Sequence, residues 1–250
     1  MNAVLLAAGY GTRLRALFPD TPKALIEIAG RPVLAHLLDN IARSGLVDGI
    51  TIVTNDRNHV ALQSYLDSHP PHLSTCLLTD GTGTEEERLG ALGDLRFALD
   101  HLGRSEDLLV TATDKLLAFE LAAPLQWARE LAAPVNVCVQ LASRAHLAGR
   151  HGCVLLDSDA RIVDFEEKPG NPKSRLASLA IYVLPAPVQP LLREYLQQGG
   201  DADAPGYFIG WLARRVAVYG YIAPGPGYDV GTPATYAAAQ RAFRATDSEV

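Results

Sequence analysis

A run of small residues near the start of the chain, Leu6-Ala7-Ala8-Gly9-Tyr10-Gly11-Thr12-Arg13-Leu14, is the first place where residue types suggest chemistry. Glycines lack the Cβ that would block close approach, so backbone N–H groups there can reach phosphate oxygens. Arg13 supplies a cation beside them, and Lys23, in Pro22-Lys23-Ala24-Leu25, supplies a second. Two common phosphate loops are excluded by the letters themselves. The dinucleotide fingerprint G-x-G-x-x-G fails because its third glycine position is Leu14, and G-x-x-x-x-G-K-[ST] is absent. Carboxylates follow later, at Asp114 after an apolar run and at Asp229 among Gly225, Gly227 and Gly231. In isolation Asp114 reads as a helix N-cap, Asp229 as turn chemistry, and Glu166-Glu167-Lys168 as a solvated strand end.

Other reactive residue types form no pattern. The three cysteines, Cys76, Cys138 and Cys153, make no C-x-x-C pair and read as core thiols in a reducing compartment. The seven histidines show neither H-x-H nor H-E-x-x-H spacing and read as surface or core residues. Trp127 and Trp211 fall on helical segments and read as packing residues.

The elements that must position the loop follow from periodicity. Apolar runs at 3–8, 50–54, 75–78 and 108–112 predict strands, and the first of them ends at Gly9. Between them, 32–44, 59–66 and 89–102 carry helical spacing; the first buries Val33, Leu34, Leu37, Leu38 and Ile41 on one face. This alternation implies an α/β fold with a Rossmann-like, mainly parallel sheet flanked by helices. In such a sheet ligands bind beyond the carboxyl ends of the strands, which is where the Gly9–Arg13 loop lies. The second half changes character. Strands at 135–141, 153–156, 162–166 and 178–184, with a turn at Asp157-Ser158-Asp159, predict an antiparallel lobe. Helices return at 188–197, 207–215 and 235–243, with a strand at 216–222.

Composition bounds the function class. The chain has 250 residues, 48% hydrophobic and 20% charged, and a formal charge of −6. That is a globular composition, and its acidic balance disfavours nucleic acid and anionic membranes as partners. No apolar run approaches the ~18 residues that span a bilayer. The N-terminus lacks the basic residues of a secretory leader, so a cytoplasmic enzyme is expected. One domain over residues 1–250 is expected, with a first part at 1–130, a second at 131–232 and a C-terminal helix and tail at 233–250. A homo-oligomer is compatible with everything in the sequence.

The whole string LAAGYGTRLRALFPDTPKALIEIAGRPVL resembles the N-terminal signature of the sugar-1-phosphate nucleotidyltransferases, L-A-G-G-x-G-T-R-L, P-K-x-L and G-x-P-[ML]. Later stations follow in order. Arg88–Gly93 resembles the family's base-reading segment, and Thr113-Asp114-Lys115 its strand-ending G-D-N. Glu167-Lys168-Pro169 resembles E-K-P, and Tyr228-Asp229-Val230-Gly231-Thr232 resembles W-x-D-[IV]-G-T. The likeness is to the short, single-domain, glucose-1-phosphate thymidylyltransferase-like form. It implies the nucleotide-diphospho-sugar transferase fold and a reaction that joins a nucleoside triphosphate to a sugar 1-phosphate with release of pyrophosphate.

By that resemblance Arg13 and Lys23 are the catalytic cations, and Leu6, Ala8, Gly9, Gly11, Thr12 and Gly90 line the nucleotide. Asp114 and Asp229 hold Mg²⁺, while Lys115, Gly152, Glu167, Lys168 and Ala180 face the sugar phosphate. The short relatives point to a pyrimidine triphosphate, dTTP, UTP or CTP. The segment Asp203–Phe208 receives no chemistry.

Two positions depart from the pattern. Lys115 stands where the family has asparagine, and either competes with Mg²⁺ or places an added cation on a substrate phosphate. Ala180, in Ser178-Leu179-Ala180-Ile181-Tyr182, stands where the family has glycine and adds a methyl beside the sugar. Both point to an unusual sugar or another phosphorylated polyol as acceptor. Lys115 also keeps open a second class, a nucleotide-binding regulatory subunit without turnover. A nicotinamide-dependent enzyme on the same sheet is disfavoured by Leu14.

Overall fold

The computed structural model describes residues 1–247. Its first half runs β1 (Asn2–Leu6), β2 (Glu27–Ile28), β3 (Arg31–Pro32), α1 (Val33–Arg43), β4 (Gly49–Thr54), α2 (Asp56–Ser68), β5 (Ser74–Thr79), α3 (Ala91–Leu102), β6 (Leu108–Ala112), β7 (Lys115–Leu117) and α4 (Ala122–Leu131). The second half runs β8 (Val135–Gln140), α5 (Arg144–Leu147), β9 (Cys153–Leu156), β10 (Ile162–Glu166), β11 (Leu176–Leu184), α6 (Gln189–Gln197), α7 (Pro205–Ala213), β12 (Tyr219–Ile222), β13 (Gly227–Asp229) and α8 (Pro233–Asp247). Residues 248–250 of the expected C-terminal tail lie outside the described residues.

The predicted α/β architecture is present. A nine-stranded sheet has the order β10-β9-β11-β6-β1-β4-β5, with β8 on β11 and β12 on β8. β6, β1, β4 and β5 are parallel, and β1 sits in the middle of them, in register Leu6↔Ala112 and Leu6↔Val53. β11 then runs antiparallel against β6, β8 and β9. The near-continuous apolar sequence of β1 is explained by burial on both faces. Ala3 and Leu5 enter one core with α1, α2 and α4, while Val4 enters the other with α3, α6 and α7.

Local chemistry sets the element ends. Asn55 caps α2 by accepting the Asn58 N–H at 3.0 Å, and its own Nδ2 donates to Ala8 O at 2.7 Å, which orders the loop after β1. The Asp157 turn forms as predicted, with Asp157 Oδ1 accepting from the Asp159 and Arg161 N–H groups between β9 and β10. Trp127 and Trp211 pack edgewise on Tyr219 and Tyr195.

Two readings need correction, and two short ribbons add to the predicted elements. Cys76 is exposed, so only Cys138 and Cys153 are core thiols; strand β5 is the sheet edge and its side chains are half covered. Asp114 caps no helix, because α4 starts after Leu121. The short ribbons β2–β3 and β7–β13 were not foreseen, since two- and three-residue strands carry no measurable alternation.

Candidate active site

The charged residues gather where β1 and β6 end. Leu6 O accepts the Thr113 N–H at 3.1 Å, which sets the glycine loop beside Asp114. The loop turns through Gly11 in the left-handed region, φ 61°, where a side chain would be strained. It then enters a short 3₁₀ turn over Thr12–Leu14 that leaves Thr12 and Arg13 exposed and buries Leu14.

A small apolar cluster fixes these side chains from beneath. Leu14, Ile26, Leu116 and Val230 pack together. Three of them are sequence neighbours of residues with candidate roles: Arg13, Lys115 and Asp229. Burying the apolar neighbour therefore orients the charged one. A Cβ built on Gly231 would lie 3.6 Å from Lys23 Nζ and 3.8 Å from an Arg13 guanidinium nitrogen, so both cations converge on that glycine.

The two candidate metal carboxylates meet through the β7–β13 ribbon. Asp229 is paired with Lys115 in register, and Val230 N–H donates to Asp114 O at 3.0 Å. Lys23 Nζ donates to Asp114 Oδ2, and Lys115 Nζ donates to Asp229 Oδ1. Lys115 Nζ also stands 3.9 Å from Asp114 Oδ1. Burial alone would push the Asp114 carboxyl up, but Lys23 and then Lys115 outweigh it and hold it at about 2. Burial likewise opposes the charge on Lys115, and Asp229 and Asp114 overcome it and raise the ammonium above its ordinary range.

The donor set suits a hard divalent ion. Asp114 Oδ1 is buried and accepts no hydrogen bond, which leaves an oxygen lone pair for a cation. Among the described residues no group of three or more His, Cys, Asp or Glu converges. An ion held by Asp114 and Asp229 would complete its shell with water and phosphate oxygens, the usual habit of Mg²⁺.

Beside the charged cluster lies a largely apolar cavity of about 250 Å³ between α3, α7 and the sheet, lined by Leu6, Ala8, Gly9, Gly90, Asp94 and Ala180 among others. Five of these six were expected to line the nucleotide or sugar. Gly90 starts α3 at φ 80°, and a Cβ there would come within 2.6 Å of Ala202 O. That carbonyl instead accepts the Leu92 N–H at 2.8 Å, and Arg88 pairs with Asp203 at 3.1 Å. The segment before α7, given no role from sequence, therefore closes the Gly90 side of the cavity.

Asp94 was missed. It is 6% exposed, its Oδ1 has no partner, and burial first, with Asp80 next, raises its carboxyl to about 7. The signal available was its position one helical turn after Gly90, on the same face.

The second lobe supplies Glu167 and Lys168, 3.6 Å apart, with the Glu167 side chain only 12% exposed. Burial raises the Glu167 carboxyl and Lys168 opposes the rise. Gly206 at the start of α7 abuts this carboxylate; a Cβ there would stand 1.8 Å from Glu167 Oε2. At Gly152 the space a Cβ would fill is taken by the Phe165 ring, 2.5 Å away. Ala180 has φ 53° at a register shift in β11, so the residue that departs from the glycine pattern keeps a glycine's conformation. His151, set aside from sequence, feels Asp229, Lys115, Arg150 and Lys168, and burial pushes its ring toward the neutral form.

Comparison with known proteins bears on the fold and the family. Two solved structures superpose over nearly the whole chain at low identity and share its fold. A UDP-glucose pyrophosphorylase complexed with UDP-glucose has a TM-score of 0.82 and 17% identity, over 98% of each chain. A UTP-bound UGPase of Acinetobacter baumannii has a TM-score of 0.78 and 20% identity, over 97% of this chain and 92% of that one. By sequence, the mannose-1-phosphate guanylyltransferase of Mycobacterium tuberculosis is 30% identical over 93% of this chain and 62% of its own length. The UTP–glucose-1-phosphate uridylyltransferase of Haloferax volcanii is 29% identical over 73% of this chain and 71% of its own. A bifunctional protein, GlmU, of Methanocaldococcus jannaschii is 27% identical over 93% of this chain, which spans 52% of that protein. The family model described as nucleotidyl transferase matches residues 2–246.

Proposed function

The chain belongs to the nucleotidyl transferase family, and on that premise we propose that it joins a nucleoside triphosphate to a sugar 1-phosphate, giving an NDP-sugar and pyrophosphate. The observation that carries this reading is the convergence of Arg13 and Lys23 with the Asp114–Asp229 pair at the ends of β1 and β6. The attacking phosphate oxygen is already anionic, so the site needs no Ser, Cys or His nucleophile. Its task is to bring two polyanions together and to steady charge at the α-phosphorus during in-line displacement.

Each residue has a part in that task. The exposed Arg13 guanidinium is suited to the β- and γ-phosphates and to the departing pyrophosphate. Lys23, anchored on Asp114, is assigned to the α-phosphate. Gly9, with open space where a Cβ would be, and the left-handed Gly11 present backbone toward the phosphates. Asp114 and Asp229 would hold Mg²⁺, which would further neutralise the phosphates. Leu6, Ala8 and Gly90 form the wall against which a base and ribose pack. Glu167, held by Gly206 and Lys168, is placed to accept hydrogen bonds from sugar hydroxyls, and Lys168 to meet the sugar phosphate.

The base assigned to the triphosphate is a pyrimidine, and the compartment is the cytoplasm. No described helix is long and apolar enough to cross a membrane. Lys115 between the two carboxylates favours one rival, a nucleotide-binding subunit without turnover. A matrix of dTTP, UTP, CTP, GTP and ATP against a panel of sugar 1-phosphates, with pyrophosphate detection, decides between them. Release with one pairing establishes the transferase. Nucleotide binding with no release in any cell of the matrix establishes the rival.

A further inference from the structure

Lys115 is 7% exposed, and its ammonium is the only cation among the described residues that touches both candidate metal carboxylates, Asp229 by a hydrogen bond and Asp114 Oδ1 at 3.9 Å. It cannot diffuse away. Its backbone is locked opposite Asp229 in the β7–β13 register, and its neighbour Leu116 is fully buried in the cluster beneath. An ammonium carried by the chain therefore stands in the space a divalent ion would need, at an effective concentration that no free ion matches. Withdrawing it into the apolar cluster would strand a buried charge, so it leaves only if another anion receives it.

We infer that Lys115 is a built-in competitor for the metal site: its ammonium closes the Asp114–Asp229 pair to a free divalent ion until an incoming phosphate draws it aside. The inference rests on the reading of Asp114 and Asp229 as metal ligands. It has two consequences for the chain's own residues. The free protein binds the ion weakly, because apparent affinity falls by the fraction of molecules in which Lys115 has left the pair. The two carboxylates are also kept neutralised in the resting state, without an ion, by Lys23 on one and Lys115 on the other.

The test measures metal binding directly, with Mn²⁺ alone as probe, by the loss of its free electron-resonance signal and by thermal shift. The proteins are the wild type, Lys115→Asn, Lys115→Met and Asp229→Asn. Lys115→Met keeps the side-chain volume, so it serves if the Asn variant does not fold. The expected result is binding at least about tenfold tighter in the Lys115 variants than in wild type, for an open fraction of a tenth or less. A larger Mn²⁺-induced rise in melting temperature should accompany it, with binding lost in Asp229→Asn. Equal affinity in wild type and both Lys115 variants, with loss in Asp229→Asn, overturns the inference and leaves the metal site standing. Binding that survives in Asp229→Asn, or that is missing from both Lys115 variants, overturns the metal reading and the inference with it.

Discussion

Lys115 and Asp229 face one another across a three-residue antiparallel ribbon, separated by 114 positions in the chain and joined by a direct hydrogen bond. This pair, outside the main sheet, completes the charged site. It links the end of β6, which carries Asp114, to the strand that precedes α8. Its cost in desolvation is met by having three charges, Lys23, Asp114 and Lys115, in one chain of contacts that ends on Asp229.

Asp229→Asn should abolish pyrophosphate release almost completely and also loosen the fold. Lys115 would be left with a neutral amide oxygen in place of the carboxylate, besides the 3.9 Å contact to Asp114, and a buried ammonium losing a charged partner costs ~2 kcal/mol. Denaturant unfolding should show a lower midpoint at unchanged slope. Full activity in this variant would remove Asp229 from the site.

Asp94 gives a pH dependence of defined sign. An ordinary aspartate titrates near 3.8, and in the folded chain this one is raised to about 7 by burial and then by Asp80. The folded state therefore holds the proton more tightly than the unfolded state. The stabilising effect is full below pH ~4 and is lost as pH rises through ~7. At ~1.4 kcal/mol per pH unit over about 3 units the loss is on the order of 4–5 kcal/mol at most. Asp94→Asn should flatten this limb, gaining more stability relative to wild type at pH 8 than at pH 5. Urea midpoints of both proteins across pH 5–8 check it, and parallel curves would contradict it.

Ala180→Gly should raise stability by up to ~1 kcal/mol, because an alanine at φ 53° is strained and a glycine there is not. The unfolded-state entropy of glycine offsets part of the gain. Since the Ala180 methyl also lines the cavity, the same variant should change the ranking of sugar 1-phosphates. A drop in melting temperature would show that the methyl's packing outweighs the strain.

Gly206→Ala should act through Glu167. Its new methyl would need the space of Glu167 Oε2, 1.8 Å from the ideal Cβ, and of a Phe165 ring carbon at 2.7 Å. The carboxylate must move, with an overpacking cost of ~1–3 kcal/mol. KM for the sugar 1-phosphate should rise as in Glu167→Gln, with KM for the triphosphate little changed. An effect confined to the triphosphate would detach α7 from the sugar side.

By itself the sequence determined the sheet and the glycine loop at its edge, because both are written in local signals. Four apolar runs with helices between them specify a parallel sheet, and Gly9, Gly11 and Arg13 directly after the first run mark its ligand-binding edge. Resemblance over ordered motifs added Lys23, Asp114, Glu167 and Asp229. Only the tertiary structure decided what these residues touch. The Lys115–Asp229 register lies in strands too short to show a period, and Gly206 reaches Glu167 from a helix with no local mark of chemistry. Asp94 lies in the first turn of α3, and only burial in the folded chain raises its carboxyl. Local pattern records how a residue's neighbours fold. Ion pairs between distant segments depend on packing of Leu14, Ile26, Leu116 and Val230, whose shared core exists only once the chain has closed on itself.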